Sequence, residues 1–441
     1  MLGYMVENAF KGECNMAKRK FLYSSFLCLL PLTLASCSSE DDGKTTVEFM
    51  HSSIEQDRLK VINELVADFE KEHPDIKIDQ IPVEEDAYNT KVVTLARANK
   101  LPSVIEASQD FAKVMDKDEL IDKQAITEVM NSADEEDYYE GAKRLVKSED
   151  GHHYISAPIS GWVQGIWYHK NQLKEAGFSE PNDWNDVMKI AKHFNHPKQK
   201  EYGIAMPTAD STMSEQAFSQ FALSNKANVL NKKGQVTIDT AEMTEALEYY
   251  KQLSAYTMPG SNDVTEIQDA FMNGSAPMAI YSTYILPTVY EAKKSKDIGF
   301  AIPTHKSEAV YGTVSGLTIS SGLPKKQEEA SKAFVKFLSE TDNMEKWVLM
   351  SPGGAQPVNK KVVESKTYQS NKVVGSFGNL SEEIAQSFDK LQVFGLVGNK
   401  NYTKMGDITS SGAISKAVND VTVGDQSPET ALKKAQQSLE K

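Results

Sequence analysis

The sequence contains few cysteines. Its 441 residues include three, Cys14, Cys28 and Cys37, and no thiol follows Cys37. Disulfides, cysteine-based zinc sites and thiol nucleophiles are therefore excluded from the long chain beyond Cys37.

Arginine is almost as scarce, and basic residues form no cluster in the body of the chain. Arg58, Arg97 and Arg144 are the arginines that follow Cys37, and the formal net charge is -14. A polyphosphate ligand held by several bidentate guanidinium groups is therefore not expected. A nucleic-acid partner is not expected either, because proteins that bind nucleic acids carry a basic surface.

Short catalytic motifs are also missing. The run 312–316 (GTVSG) lacks the spacing of a nucleophile elbow, and neither H-E-x-x-H nor a Walker-type glycine loop occurs. His152 and His153 lie in a polar segment and are interpreted as part of a surface turn. We expect no metal, no cofactor and no enzymatic activity. A carbohydrate-active hydrolase stays the alternative, because pairs of catalytic carboxylates have no sequence signature.

The N-terminal region has the pattern of a bacterial lipoprotein signal. A basic segment, 18–20 (KRK), precedes fourteen mostly apolar residues, 21–34, and the sequence 34–37 (LASC) ends at Cys37. This order predicts cleavage before Cys37, lipid attachment to its thiol and a short tether at 37–44. The apolar run is shorter than the roughly 20 residues of a membrane-spanning helix, which disfavours a permanent span.

Two expectations follow from this signal. Basic residues belong at the very start of a signal peptide, so Met16 fits the true start better than Met1, and residues 1–36 would be absent from the mature chain. The mature protein is expected outside the cytoplasm, anchored through Cys37 to the bacterial cell membrane. It would lie in the periplasm or on the outer face of the plasma membrane.

Short apolar runs and amphipathic helical patterns alternate through the rest of the chain. The predicted strands are 46–50, 75–81, 103–107, 165–169, 202–206, 276–281, 298–302 and 316–319. The predicted helices are 56–72, 86–99, 184–194, 240–255, 264–272, 327–340 and two at the C-terminus, the last beginning at Ser427-Pro428. The opening order predicts parallel strands with helices packed on them, and the length suits two α/β domains.

Four segments match, in order, the motifs of a known family. They are 165–192, beginning GIWYHKNQLKEAG, 271–280 (FMNGSAPMAI), 299–319 and 418–436. By these segments the chain resembles the extracellular solute-binding proteins of family one, the receptors of carbohydrate ABC importers. His169 and the pair Pro277-Met278 depart from the family's usual residues, so ligand identity cannot be copied from a relative.

The resemblance implies an α/β fold of two lobes, the type II periplasmic-binding-protein fold, with a ligand cleft and a hinge of two or three crossing segments. It places these crossings near 160–165, 313–318 and 353–359. The N-terminal lobe would comprise 45–160 plus 317–355, and the C-terminal lobe 161–316 plus 356–441. Gly161, Gly165, Gly312 and Gly316 are then candidates for hinge residues, with ordinary strand ends as the alternative.

A sugar cleft needs aromatic rings for the apolar faces of the sugar and oxygen-rich side chains for its hydroxyls. The resemblance favours Trp162 and Tyr284 as stacking platforms, with Tyr281 near Tyr284 and Gln164 near Trp162. A core position at the junction of the lobes is the alternative for Trp162.

Further ligand-binding candidates are residues in loops that follow predicted elements: His51, Ser52, Glu55, Gln109, Asp110 and Gly354. A solvated loop carboxylate is the alternative for Asp110, and a residue that stabilises the helix start is the alternative for Glu55. Glu215 and Gln216 are weaker candidates.

These patterns together predict an extracytoplasmic substrate-binding lipoprotein that captures a carbohydrate, preferably an oligosaccharide, by closing two lobes over it. It would act as a monomer and deliver the ligand to the permease subunits of an ABC transporter in the membrane. The alternatives are a lipid-anchored hydrolase, a surface adhesin, and a binding protein for a non-sugar solute such as a glycerol phosphodiester.

Overall fold

The computed structural model describes residues 43–133 and 135–440. The predicted signal and the lipid-attachment site at Cys37 lie outside these residues. Within them, no helix combines the length and the apolar character that crossing a membrane requires. The described residues also contain no group of three or more His, Cys, Asp and Glu that could hold a metal ion.

Nine strands and twenty α-helices make up the described chain. The strands are β1 (Thr45–His51), β2 (Ile76–Pro82), β3 (Val104–Ser108), β4 (Ala157–His169), β5 (Met278–Ser282), β6 (Ile298–Ala301), β7 (Tyr311–Ile319), β8 (Leu396–Val397) and β9 (Lys400–Asn401). The first ten helices are α1 (Gln56–Glu72), α2 (Glu85–Arg97), α3 (Gln109–Lys117), α4 (Lys123–Ser132), α5 (Glu140–Leu145), α6 (Lys170–Glu175), α7 (Trp184–Phe194), α8 (Thr212–Ser224), α9 (Ala241–Ser254) and α10 (Val264–Met272). The others are α11 (Leu286–Glu291), α12 (Lys325–Leu338), α13 (Thr341–Val348), α14 (Lys360–Glu364), α15 (Lys366–Ser370), α16 (Lys372–Ser376), α17 (Asn379–Gln386), α18 (Lys404–Ser410), α19 (Ala413–Thr422) and α20 (Pro428–Leu439).

Seven strands form one mixed sheet in the order β2-β1-β3-β7-β4-β5, with β6 also paired to β4. As predicted, the opening strands β2, β1 and β3 are parallel, whereas β7 runs antiparallel to both β3 and β4. The long strand β4 pairs with β7 over its first part and with β5 and β6 over its second. Strands β4 and β7 therefore connect the part of the sheet built by β1–β3 to the part built by β5 and β6.

The buried apolar side chains form two clusters. The larger includes Phe49 of β1, whose ring packs edge-on against Phe334 of α12 at 5.2 Å. The smaller surrounds α8 and α9, where Phe218 packs against Tyr250 at 5.8 Å. Burial of apolar surface in these clusters supplies the main stabilising free energy of the fold. The mixed α/β class predicted from the sequence is confirmed.

Helices with strict apolar periodicity are the elements that the sequence predicts best. The buried residues of α1 are Ile62, Leu65, Val66 and Phe69, which share one face at helical spacing. The bounds of α1, α7 and α10 agree with the predicted bounds to the residue. Helix α10 has an additional start signal, a capping box between Asp263 and the side chain of Glu266.

The predicted strand 202–206 is wrong. Only Ala205 forms a bridge, to Ala279 of β5, although the segment is largely buried. The neighbouring backbone N–H groups of Gly203 and Ile204 donate to the carbonyl of Tyr256 instead of to a strand. An apolar run without a paired neighbour cannot extend the ladder.

The three predicted crossing segments lie side by side. Gly161 of β4 pairs with Val314 of β7 and also forms a bridge to Gln356. A Cβ atom at position 161 would lie 2.6 Å from both the Phe388 ring and the Thr313 carbonyl oxygen. Glycine is therefore required there by close packing. The hinge role of these segments stays a prediction.

Candidate functional site

A cavity of about 850 Å³ opens where several elements converge above the middle of the sheet. Its lining comes from the β1–α1 connection, from β3, β4 and β7, and from the N-terminal ends of α2, α8 and α10. The segment that follows β5 and the segment at the end of α13 complete it. Chain segments that are far apart in sequence therefore contribute to one site, which we call the cleft.

The floor of the cleft is made by alternate residues of three adjacent strands. Side chains at alternate positions of a strand point to the same face. The floor residues are Ser108 of β3, Ser160, Trp162 and Gln164 of β4, and Thr313 and Ser315 of β7. Ser315 lies opposite both Ser108 and Ser160, and Thr313 lies opposite Trp162. Three serine hydroxyls thus form a row across the sheet, next to an indole ring.

Aromatic side chains supply the apolar part of the lining. Tyr284 follows β5 and keeps 44% of its surface exposed, while Trp162 is half-buried and lies 5.9 Å from the ring of Tyr311. Gly354 packs against Tyr284, since a Cβ atom there would lie 2.7 Å from the Tyr284 ring. The indole of Trp347 in α13 also lines the cleft, but it is almost fully buried.

Carboxylates and one guanidinium group form a charged wall. Oε2 of Glu106 accepts hydrogen bonds from the backbone N–H of Ser52 at 3.1 Å and from its hydroxyl at 3.3 Å. Burial raises the pKa of Glu106, and these hydrogen bonds and the charge of Arg58 oppose that rise. Nη1 of Arg58 lies 3.6 Å from Oε2 of Glu55, and Glu85 at the start of α2 lines the same wall.

Two buried polar atoms in the cleft have no hydrogen-bond partner among the described residues. They are Nε2 of Gln164, whose residue is 1% exposed, and Oγ of Ser211 at the start of α8. Buried polar groups nearly always have a partner in native proteins. A ligand with hydroxyl groups would provide one for each.

The structure brings six of the predicted ligand-binding residues together in the cleft: Ser52, Glu55, Trp162, Gln164, Tyr281 and Tyr284. The weaker candidate Gln216 also lines it. Of these, Tyr281 is turned partly away, because its hydroxyl donates to Gln268 at 3.2 Å.

The other predicted residues lie outside the lining. His51 is fully buried behind it, and burial lowers the pKa of His51 to about 4, so its ring is neutral near pH 7. Gln109 is also fully buried, and its Oε1 accepts the backbone N–H of Val314 at 2.5 Å, which ties α3 to β7. Gly354 acts as the support behind Tyr284 and its carbonyl accepts the hydroxyl of Thr283.

Asp110 and Glu215 line a second, much smaller cavity together with Tyr311 and Thr409. Asp110 pairs with the buried Lys113 at 3.3 Å. Glu215 accepts the hydroxyl of Thr409 at 2.7 Å. Burial and the nearby charge of Asp110 together raise the pKa of Glu215 to about 7, although the hydrogen bond from Thr409 opposes the rise.

Several cleft residues are absent from the sequence-based set, among them Arg58, Glu85, Glu106 and Trp347. Glu106 had a usable signal, because it is the one charged residue in the otherwise apolar or small run 104–108. A charge inside a strand that is buried on both sides indicates a functional face. Glu85 and Trp347 lie in helices, and nothing in their local sequence separates them from ordinary helical residues.

Comparison with known proteins places this geometry in a family. The family model described as bacterial extracellular solute-binding protein matches residues 53–345. A relative from Escherichia coli (strain K12), named putative ABC transporter periplasmic-binding protein YcjN, is 50% identical over 96% of this chain and 99% of its own. The multiple sugar-binding protein of Streptococcus mutans is 23% identical over 72% of this chain and 78% of its own.

The fold comparison agrees. The sugar-binding protein MalE from Xanthomonas citri matches with a TM-score of 0.74 at 20% identity, over 90% of this chain and 96% of that chain. The predicted type II fold of two lobes is thereby confirmed, as is the predicted family. Since the family model covers more than half of the sequence, the chain belongs to the bacterial extracellular solute-binding proteins.

Proposed function

We propose that this protein captures a carbohydrate, preferably an oligosaccharide, in the cleft and delivers it to the permease of an ABC importer. The main support for this function is the set of residues that line the cleft. Trp162 and Tyr284 offer ring faces, and the serine row and Glu106 offer hydrogen-bond partners for hydroxyl groups. Sugars present the matching surfaces, apolar ring faces bordered by hydroxyls.

The size of the cleft favours an oligosaccharide over a single sugar. Its volume of about 850 Å³ lies in the upper part of the range of roughly 300 to 1,000 Å³ that small-molecule pockets span. The printed names of the relatives from Streptococcus mutans and Xanthomonas citri, both sugar-binding proteins, support the same class of ligand.

Capture would work by closure of the two lobes. The lobes are taken as 45–160 plus 317–355 and 161–316 plus 356–441, with β4, β7 and the segment near Gln356 as the hinge. A ligand that contacts both lobes stabilises the closed state by its differential affinity for that state. Glu55 and Glu106 would contact it from one lobe, and Tyr284 from the other. The closed form would then be the one that the permease recognises.

The proposal includes a lipid anchor and no enzymatic step. The mature protein would be held at the membrane as a monomer by a lipid on Cys37, whose preceding sequence has the features of a lipoprotein signal. Replacing Cys37 by Ala should move the protein from the membrane fraction to the soluble extracytoplasmic fraction. A Cys37→Ala variant that stays with the membrane would contradict the anchor and leave the binding function standing.

Calorimetric titration with a panel of mono- and oligosaccharides tests the binding function. For any sugar that binds, Trp162→Ala and Tyr284→Ala should each weaken the affinity at least tenfold, about 1.4 kcal/mol, because each removes a stacking surface. Tyr290→Ala is the matched control, since Tyr290 is a half-buried tyrosine of α11 outside the cleft. Release of a shortened sugar during incubation would favour a hydrolase instead, and an equal loss in all three variants would contradict the assigned stacking role.

A further inference from the structure

The charges of the cleft bear on the charge of its ligand. Four carboxylates line it, those of Glu55, Glu85, Glu106 and Asp263, and Arg58 is the one cationic side chain in the described lining. The guanidinium of Arg58 already lies 3.6 Å from Glu55. A charged group on the ligand would therefore meet a surplus of negative charge, in a site partly shielded from water where Coulomb interactions are strengthened.

Acidic side chains lie at three of the four helix N-termini that line the cleft, those of α1, α2 and α10, whereas the N-terminus of α8 has no side-chain cap. Helix N-termini ordinarily attract anions through their free N–H groups and the helix dipole. Helix α1 is preceded by Glu55 and has Asp57 in its first turn, and α2 begins at Glu85. The N-terminus of α10 is capped by Asp263, which accepts the N–H of Val264 at 3.0 Å. These three ends would repel an anionic ligand where they would otherwise bind it.

The unpartnered groups fit hydroxyls better than anions. Oε1 of Glu106 accepts no hydrogen bond from the described residues, although Oε2 accepts two from Ser52. Nε2 of Gln164 is a buried donor without a partner in the described chain. A hydroxyl group can donate to the first and accept from the second, whereas a carboxylate or phosphate brings acceptors only.

We propose that the cleft selects uncharged glycans and rejects glycans that carry a carboxylate or a phosphate, with the carboxylates of its lining, Glu106 among them, as the specificity-determining groups. The proposal rests on the proposed function and adds the ligand class to it. It argues against a glycerol phosphodiester as the ligand. The net charge of -14 acts in the same direction at longer range, since it repels anions that approach the cleft.

Parallel titrations with two sets of glycans test this selection. The uncharged set contains maltose, melibiose, raffinose and cellotriose, and the anionic set contains digalacturonate, trigalacturonate and glucose 6-phosphate. We expect binding within the uncharged set and at least tenfold weaker binding, or none, within the anionic set. Anionic glycans that bind as tightly as uncharged ones would overturn the selection and leave the sugar-receptor function intact. Failure of every glycan in both sets would overturn both.

Two variants test whether the negative charge of the lining causes the selection against anionic glycans. Glu106→Gln keeps an acceptor for Ser52 and removes the charge. Glu85→Gln removes a charge at an exposed position, where folding is not at risk. Each should raise the affinity for anionic glycans relative to uncharged ones by about fivefold or more. Glu72→Gln is the matched control, because Glu72 lies exposed at the opposite end of α1 from Arg58.

Salt dependence separates electrostatic rejection from shape. If the carboxylates act through their charge, high salt should narrow the difference between anionic and uncharged glycans in the native protein, because salt screens the repulsion. The Glu106→Gln variant should show a smaller salt effect. A difference that stays constant with salt, and that no charge-removing variant changes, would assign the rejection to shape and overturn the role of Glu106.

Discussion

Two carboxylates near the middle of the protein differ in how their charge is compensated. Glu106 in the cleft accepts two hydrogen bonds from Ser52 and lies close to Arg58. Glu215, only 6% exposed, accepts one hydroxyl, that of Thr409, and lies near the like charge of Asp110. Burial raises the pKa of Glu106 as well, but the hydrogen bonds from Ser52 and the charge of Arg58 oppose that rise. The environment of Glu215 makes ionisation costly to the folded state.

This cost predicts a pH-dependent stability that Glu215 controls. Its pKa is raised from 4.5 to about 7 in the folded protein, so between those values the folded state binds more protons than the unfolded state. Stability contributed by neutral Glu215 is therefore present at low pH and is lost as the pH rises through about 7, by about 3 kcal/mol in total. Glu215→Gln should remove this loss and be more stable than the native protein near pH 8.

Urea unfolding at several pH values between about 5 and 8 measures the effect. Glu72→Gln serves as the control, because Glu72 is exposed and its replacement should leave the slope of the unfolding free energy against pH unchanged. Identical slopes for the native protein and Glu215→Gln would show that Glu215 does not titrate in this range.

At the scale of single residues, the sequence predicts part of the site. Trp162, Tyr284 and Glu55 reach the cleft, whereas Gln109 and His51 lie behind its lining. All five lie in a strand or shortly after one, and that position alone does not predict the direction in which a side chain points. Gln109 turns inward because Val314 of β7 has a backbone N–H that needs an acceptor.

At the scale of elements, two serines at helix N-cap positions have different roles. Ser427 accepts the N–H of Thr430 at 3.3 Å and so caps α20. Ser211 precedes α8 in the same position, but its hydroxyl makes no capping bond and lies unpartnered in the cleft. The hydroxyl of Ser211 is thus available to a ligand.

This contrast predicts that the two serines respond oppositely to replacement by alanine. Ser427→Ala should lower the free energy of unfolding by about 1 kcal/mol, because it removes a cap, and leave sugar affinity unchanged. Ser211→Ala should change stability little and weaken the affinity for a bound sugar by roughly fivefold, about 1 kcal/mol. Denaturant unfolding and calorimetric titration of both variants check the pair. The assignment of Ser211 is contradicted by unchanged affinity, or by a stability loss like that of Ser427→Ala.

The helices and strands also show which elements the sequence pattern predicts and which it misses. Helices α1, α7 and α10 follow from apolar periodicity bounded by caps and helix breakers. The sequence predicts strand β4 only over 165–169, whereas the strand begins at Ala157. Its first part contains Ser160, Trp162 and Gln164 because these residues serve the cleft, and that alternation hides the strand among polar residues. The polar residues that line the cleft therefore weaken the sequence pattern by which the strand could be predicted.

At the scale of the whole molecule, one sheet runs through the structure and carries the cleft at its middle. Strands β4 and β7 pair with each other beneath the cleft and connect the two parts of the sheet. The segment at Gln356 is the third crossing and forms a bridge to Gly161. Bending at these few crossings would bring Tyr284 towards Glu106 and Glu55. Closure of this kind requires a ligand that contacts both lobes.

Small-angle X-ray scattering of the mature protein, with and without a saturating sugar identified by titration, measures whether the two lobes close on the ligand. We predict a smaller radius of gyration with the sugar bound, and no change when the same sugar is added to Trp162→Ala at a concentration that leaves this variant unoccupied. Full occupancy of the native protein by the sugar, verified in the same sample by calorimetry, with a radius of gyration equal to that of the free protein would contradict capture by closure.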